Sequence, residues 1–225
     1  MICKHFALIT IIILMGFITG CGGDEEEPSH LIREESSEPP MGLHGDTYRN
    51  QRHVFKVSNL PVDDWTVLWY PKDREQIGVW FKGSYNIDRF TNTGVIYLVM
   101  QPAKDELQEN RFKAFEKRTP FINMWVEKQS ATDIYKLTSP KAFAKRFIDD
   151  NEVISEGDVR AKDGGPGYFV TSREHGGRNT ITYFMRSTGK VRDLYAFYLW
   201  APDNGYDEVI DVYREIVSSF ERNIY

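Results

Sequence analysis

The sequence predicts an α+β fold: an α/β/α sandwich built on a central, mainly antiparallel sheet and closed by a C-terminal amphipathic helix. Three patterns carry that prediction. Four strand-like runs follow one another with short turns between them, several strands are apolar on both alternating faces, and the chain ends in an apolar stripe at helical spacing. An antiparallel sheet with helices on both faces satisfies all three.

Taken in order, residues 53–57 and 77–82 have strand character, and Trp65-Thr66-Val67-Leu68-Trp69-Tyr70 is a further sheet segment dense in aromatics. Residues 95–101 form a strand whose two alternating sets are both apolar, so it is expected to be covered on both sides. Residues 104–118 are highly charged with Leu107, Arg111, Phe112 and Phe115 at helical intervals, which predicts a short exposed helix stopping near Pro120; 121–127 is the next strand. Ser139-Pro140 is a helix start, serine as cap and proline at the first helical position, with Ala142, Phe143, Arg146 and Phe147 at helical spacing up to about Asp150.

The meander then runs through 153–160, 168–174, 180–186 and 193–201, with turns at Asp163-Gly164-Gly165, His175-Gly176-Gly177 and Ser187-Thr188-Gly189-Lys190. The last strand is apolar on both faces, whereas 180–185 keeps more polar residues on one face, as expected nearer an edge or beneath partial cover. Pro202-Asp203 opens the final helix, whose apolar face is Tyr206, Val209, Ile210, Tyr213, Ile216, Val217 and Phe220.

The other end of the chain states an address. Lys4 supplies a positive start, residues 6–18 an apolar stretch too short to span a bilayer comfortably, and Ile18-Thr19-Gly20-Cys21 resembles the lipobox of bacterial lipoproteins. That resemblance implies cleavage before Cys21, diacylglycerol on its thiol and usually an acyl group on its new amine, enough to hold a soluble domain at a membrane. Residues 1–20 are then a signal peptide. The only other cysteine, Cys3, lies within them, so the mature domain has no disulfide and depends on an ordinary core.

Residues 21–45 read as the lipidated cysteine and a disordered acidic linker, too rich in Pro, Gly, Ser and carboxylates to offset the entropy of ordering. Residues 22–40 hold seven acids against the single Arg33. Subtracting these and Lys4 from the totals of 33 acids and 28 bases leaves 26 of each, so the net charge of −5 belongs to the tether and the domain over 46–225 is formally neutral. No basic excess is present to drive binding to nucleic acid or anionic lipid. Asp24 to Glu27 resembles the acidic sorting motif of some surface lipoproteins, and Gly22 is not the aspartate that retains many lipoproteins in the inner membrane. An outer-membrane address is favoured.

Pro61-Val62-Asp63-Asp64-Trp65 after a strand, then two strands, a helix, a four-stranded meander and a terminal helix ending Ile216-Val217-Ser218-Ser219-Phe220 resemble the PsbP-like family over most of residues 50–222. The resemblance implies a single α/β/α domain and a mostly non-enzymatic, partner-binding habit. Asp63-Asp64 departs from the residue and glycine often found there, and no metal or docking residue of the family is carried over.

Chemistry-bearing motifs are thin. No Gly-x-Ser-x-Gly elbow occurs, and no free cysteine would remain in the mature domain. From residue 46 onward the histidines are His53 and His175, far apart and without metal-ligand companions, and His175 reads as a turn residue. Asp63-Asp64 reads as a turn, and Asp149-Asp150 with Glu152 as a solvent-facing helix end; neither set has the spacing of a calcium loop. Gly164-Gly165-Pro166-Gly167 reads as a strand connection, not a phosphate cradle. Five Trp, twelve Tyr and fourteen Phe are assigned mostly to the core, a minority to a ligand cleft or docking patch.

The expectation is therefore a lipid-anchored, non-catalytic domain of the bacterial cell envelope. It has no cofactor or metal, uses Cys21 as its lipidation site, and binds or assists assembly of another envelope protein. The alternatives are a small-ligand or lipid-binding domain of helix-grip type and an envelope hydrolase of unfamiliar type. A helix-grip fold would show one large apolar cavity against 206–220; a closed three-layer core would not.

Overall fold

The computed structural model describes residues 41–82, 95–127, 139–148, 151–188 and 191–222. In chain order these form β1 (Gly42–His44), β2 (Thr47–Asn50), β3 (Phe55–Val57), β4 (Trp65–Trp69), α1 (Arg74–Lys82), β5 (Val95–Pro102), α2 (Arg111–Lys117) and β6 (Phe121–Glu127). There follow α3 (Pro140–Ile148), β7 (Val153–Arg160), β8 (Pro166–Glu174), β9 (Gly177–Thr188), β10 (Val191–Pro202), α4 (Tyr206–Ser219) and β11 (Glu221–Arg222). The large sheet has the order β4-β5-β6-β10-β9-β8-β7, every neighbouring pair antiparallel, and a small sheet has the order β1-β2-β3-β11.

Helices cover both faces, which makes the α/β/α sandwich predicted from the two-sided strands. On one face α1, α2 and α3 bury Ile77, Trp80, Ala114, Phe143, Ala144 and Ile148 against Val99, Trp125, Tyr183, Tyr198 and Trp200. On the other, α4 and the small sheet bury Tyr48, Phe55, Tyr213, Ile216 and Phe220 against Tyr97, Phe184, Tyr195 and Phe197. Strand β10 lies at the centre because both of its alternating sets are apolar, and 194–201 are fully or almost fully buried.

Local chemistry sets most boundaries. Ser139 Oγ accepts from Ala142 N at 3.2 Å, the cap expected for α3. The helix predicted over 104–118 is confined to Arg111–Lys117, because Asn110 caps it through Lys113 N at 3.0 Å and Arg118, at φ 55°, ends it. His175 and Gly176, at φ 50° and 69°, form a two-residue turn between β8 and β9, the left-handed pair that matches strand twist. Gly164, at φ 77°, turns the chain from β7 into β8.

Three features differ from the sequence reading. Residues 77–82, expected as strand, belong to helix α1: Ile77 and Trp80 are buried and Val79 is 46% exposed, a spacing of three and not two. Strand β1 begins inside the stretch read as linker, so the folded part starts before residue 46. Helix α4 starts at Tyr206, since Pro202 still belongs to β10 and Asp203 is engaged by Arg173 and Arg178.

Phe220 closes the second core layer, with ring centroids 5.0 Å from Phe184, 5.0 Å from Tyr195, 5.3 Å from Phe197 and 6.1 Å from Phe55. Truncating it would remove one ring from contacts with β3, β9 and β10 at once. Phe220→Ala is expected to cost about 3–5 kcal/mol in urea unfolding, whereas an exposed control, Leu107→Ala, should change stability by less than about 0.5 kcal/mol.

Candidate functional site

An open-sided groove of about 710 Å³ runs along α4, floored by β7, β8 and β9. It exists because α4 packs over β10, β9 and β3 and does not reach across the last two strands. Register places Ser155 opposite Thr171, Gly157 opposite Phe169, and Thr171 opposite Thr180. On this face small and hydroxyl-bearing residues therefore stand where the middle strands carry Tyr97, Met124, Phe184, Tyr195, Phe197 and Leu199.

The floor hydroxyls engage one another. Thr171 and Thr180 lie 2.9 Å apart, and Thr180 also bonds the Tyr206 hydroxyl. Tyr213 donates to the Phe197 carbonyl at 3.0 Å and lies 2.8 Å from Thr182 Oγ1. Burial pushes the Tyr213 phenol above the ordinary tyrosine range. At one end Arg178 sits 4.2 Å over the Tyr206 ring, 3.3 Å from Asp207 Oδ1 and 3.4 Å from Asp203 Oδ1, and donates to the Asp203 carbonyl at 2.9 Å. The wall combines Ile210 and Val217 with Asp207, Asp211 and Arg214; Asp158 and Ile154 form the opposite lip.

The histidines singled out from sequence fall in separate places. His53 is buried, its Nδ1 3.4 Å from Asp193 Oδ1 and its ring edge-on to Tyr97 at 5.6 Å. Its carbonyl accepts from the Tyr195 hydroxyl at 2.7 Å and its N–H donates to Asn50 Oδ1 at 2.9 Å, so the residue pins the loop before β3 onto β10. His175 is the expected turn residue and stacks on Phe115 at 4.4 Å. Beside it, burial works to raise the Glu174 carboxyl, but hydrogen bonds from His175 and Tyr198 and the charge of Arg111 hold it below the usual range. That cluster locks the β8–β9 turn to α2.

The remaining candidates do not converge. Asp64 N and Trp65 N both bond the Pro61 carbonyl, which makes 61–65 the predicted turn. Glu152 lies 3.7 Å from Arg173, an exposed pair; Asp149 and Asp150 fall outside the described residues, as does Cys21. Gly164 and Gly165 lie in the connection from β7 to β8, whereas Pro166 and Gly167 already belong to β8 and pair with Arg160 and Val159. Among the described residues no three His, Cys, Asp or Glu side chains group as a metal site, and no helix is long and apolar enough to cross a membrane.

One group escaped the sequence reading altogether. Glu127 ends the fully buried strand β6, its Oε1 accepting from Trp125 Nε1 at 2.8 Å and facing the Tyr183 hydroxyl at 3.5 Å, while Oε2 has no partner among the described residues. Its only signal was a lone acid at the end of an apolar run. Burial pushes its carboxyl from 4.5 to about 7, against the hydrogen bonds from Trp125 and Tyr183. It lies on the α3 face of the sheet, away from the groove.

The fold and the groove together define a three-layer α+β domain with an accessible cleft beside its last helix. No protein-family model matches the chain, and no curated protein matches it. Among solved structures it is similar to the cyanobacterial PsbP, CyanoP, of Synechocystis sp. PCC 6803, at 11% identity and a TM-score of 0.46, covering 83% of this chain and 98% of that one. It is also similar to LpqN of Mycobacterium tuberculosis, described as involved in cell envelope biogenesis, at 8% identity and a TM-score of 0.37, covering 57% and 78%.

Glu127 supplies a pH test. The folded chain retains a proton there that the unfolded chain releases at lower pH, so stability is unaffected below 4.5 and falls as pH rises toward about 7. The shift corresponds to ~3 kcal/mol lost on the alkaline side. Glu127→Gln is expected to flatten that dependence in urea titrations at about pH 4 and about pH 8, gaining stability only at the higher value.

Proposed function

We propose that the chain is a lipid-anchored, non-catalytic module of the bacterial envelope, held through Cys21 and binding or assisting assembly of another envelope protein. The observation that carries the binding role is the groove: an accessible surface with an exposed apolar lip at Ile154, whose polar groups are largely paired with one another. Hydroxyls already committed to neighbours hold a shape for recognition and are not poised to attack a substrate. The anchoring role rests on the lipobox-like run before Cys21 and on a tether that holds the whole net charge. An outer-membrane address follows from Gly22 and the acidic run beside it.

A second reading is supported by the groove's volume, which falls within the range of small-ligand sites. The helix-grip version of it expects an apolar cavity against 206–220. Instead the apolar face of α4 is packed into the core, and the groove along its flank is lined by charge and hydroxyls as well as apolar groups.

Affinity capture from envelope membranes with the full chain tests the leading reading. Wild type should recover a specific envelope protein, and Cys21→Ser should lose palmitate labelling, leave the membrane fraction and recover less of that partner. Labelling that persists in Cys21→Ser removes the anchor. A tightly bound small molecule with no protein partner favours the second reading.

A further inference from the structure

The two ends of the large sheet are finished differently. Tyr70 N bonds the Tyr97 carbonyl next to the β5 pairing, so the outward backbone groups of β4 are those of Trp65, Val67 and Trp69. Two of these N–H groups are already engaged, Trp65 N by the Pro61 carbonyl at 2.8 Å and Trp69 N by Asp73 Oδ2 at 2.9 Å. At the other end Ala161 N bonds the Gly165 carbonyl at 2.9 Å, and Pro166, opposite Arg160, has no N–H to give. That phase turns the N–H and C=O of Glu156, Asp158 and Arg160 outward, where among the described residues no strand pairs with them. Proteins commonly blunt such an edge with proline or lysine, and the eight residues of β7 contain neither.

The charges along this edge alternate in sign. Glu156, Asp158 and Arg160 share the α3 face, where Lys145 bonds Glu156 at 2.9 Å and Lys141 lies over the ring of Tyr168, the residue opposite Asp158. The face therefore holds acids and bases together and does not repel an arriving chain as a block. Asp158 and Arg160 are exposed, and among the described residues neither has an ion-pair partner. Arg160 donates through one terminal nitrogen to the Gly164 carbonyl at 3.1 Å, which leaves the other for a partner.

A second copy matches this pattern. Antiparallel continuation of the sheet runs about a twofold axis perpendicular to it, and the residue on the axis fixes which side chains lie opposite. Within the regular stretch 156–160, an axis at Glu156 or Arg160 sets that charge against its own counterpart, and one at Gly157 sets Glu156 against Asp158. An axis at Asp158 sets Glu156 opposite Arg160 twice but Asp158 opposite itself. An axis at Val159 gives opposite charges with no like pair: each Asp158 meets the partner's Arg160, and the two Val159 side chains meet on the axis. The same register brings the outward backbone groups of Asp158 and Arg160 face to face, enough for about four hydrogen bonds between copies. The ladder stops there, because Lys162 N is already bonded to the Phe220 carbonyl.

The helices leave room for it. Helix α3 lies on β8 and β9, and α4 on β10, β9 and β3. With strands roughly 4.8 Å apart, β8 and its counterpart across the axis stand about 14 Å apart, more than the ~10 Å width of a helix.

We propose that the chain forms a twofold dimer through β7, with Val159 on the axis and reciprocal Asp158 to Arg160 pairs. The result is one continuous sheet whose two grooves adjoin on the same face. The dimer goes beyond the partner-binding reading and does not depend on it.

The test uses the full-length chain in a zwitterionic detergent. Sedimentation equilibrium should show a dimer that Asp158→Arg and Arg160→Asp each weaken about tenfold, and that the two changes together restore. In a Cys3→Ser, Cys21→Ser background, oxidation should link Val159→Cys copies rapidly and Ser155→Cys copies slowly. Only the axis residue meets its own counterpart, in a non-hydrogen-bonded pair with Cα atoms about 4.5 Å apart. A monomeric wild type, single changes without effect, a double change that stays monomeric, or equal linking at the two positions overturns the dimer. A monomeric wild type that still captures an envelope partner defeats the dimer and leaves the module reading standing, whereas a β7 dimer that captures none supports the dimer and defeats that reading.

Discussion

Everything on the α4 side of the sheet hangs on the aromatic cluster around Phe220. Its ring meets Phe55 of the small sheet and Phe184, Tyr195 and Phe197 of the large one, so a single side chain joins two sheets just after the last helix ends. Ser219, immediately before it, accepts from Ser58 N at 2.9 Å and donates to the Ser58 carbonyl at 2.6 Å, fastening the loop after β3 to the end of α4. Glu221 and Arg222 then pair with β3 as β11. The Ser-Phe pair noted at the chain end is thus a clasp: hydrogen bonds set its register, and aromatic burial supplies its strength.

That clasp positions the groove. With its C-terminal end fixed over β3 and its Tyr213 hydroxyl bonded to the β10 backbone, α4 cannot slide toward β7. Tyr206 at the other end is held by Thr180 and Arg178. The cleft between α4 and the sheet edge is consequently part of the packed architecture, and the side chains that line it are ordered by the same bonds that hold the helix.

The sequence made the sheet legible because its strands are long and marked by turns, and because the two-sided apolar character of β5 and β10 requires cover on both faces. It was less informative where apolar runs are short. Ile77-Gly78-Val79-Trp80-Phe81 reads as strand by composition, and only the packing of Ile77 and Trp80 on one side makes it α1. The strands of the small sheet are two to four residues long and derive their order from pairing with one another and from packing against α4. His53 and Asp193 lie 140 residues apart, and Arg178 and Tyr206 meet across β10; no local spacing announces either contact. What sequence did offer for the groove was the alternation of Thr180 and Thr182 among apolar neighbours, read as a sign of partial cover.

Geometry explains why that partial cover is unavoidable. A helix of 14 residues is about 21 Å long and about 10 Å across, and strands lie roughly 4.8 Å apart, so one helix shields little more than two strands. The small sheet covers the middle of this face, α4 covers β10 and β9, and β8 and β7 are left to solvent. An apolar β7–β8 face would be a sticky edge. The chain instead places Ser155, Gly157 and Thr171 there, with Thr180 beside them on β9, and keeps Phe169 partly sheltered. These choices lower the apolar area on an edge that a single helix cannot cover.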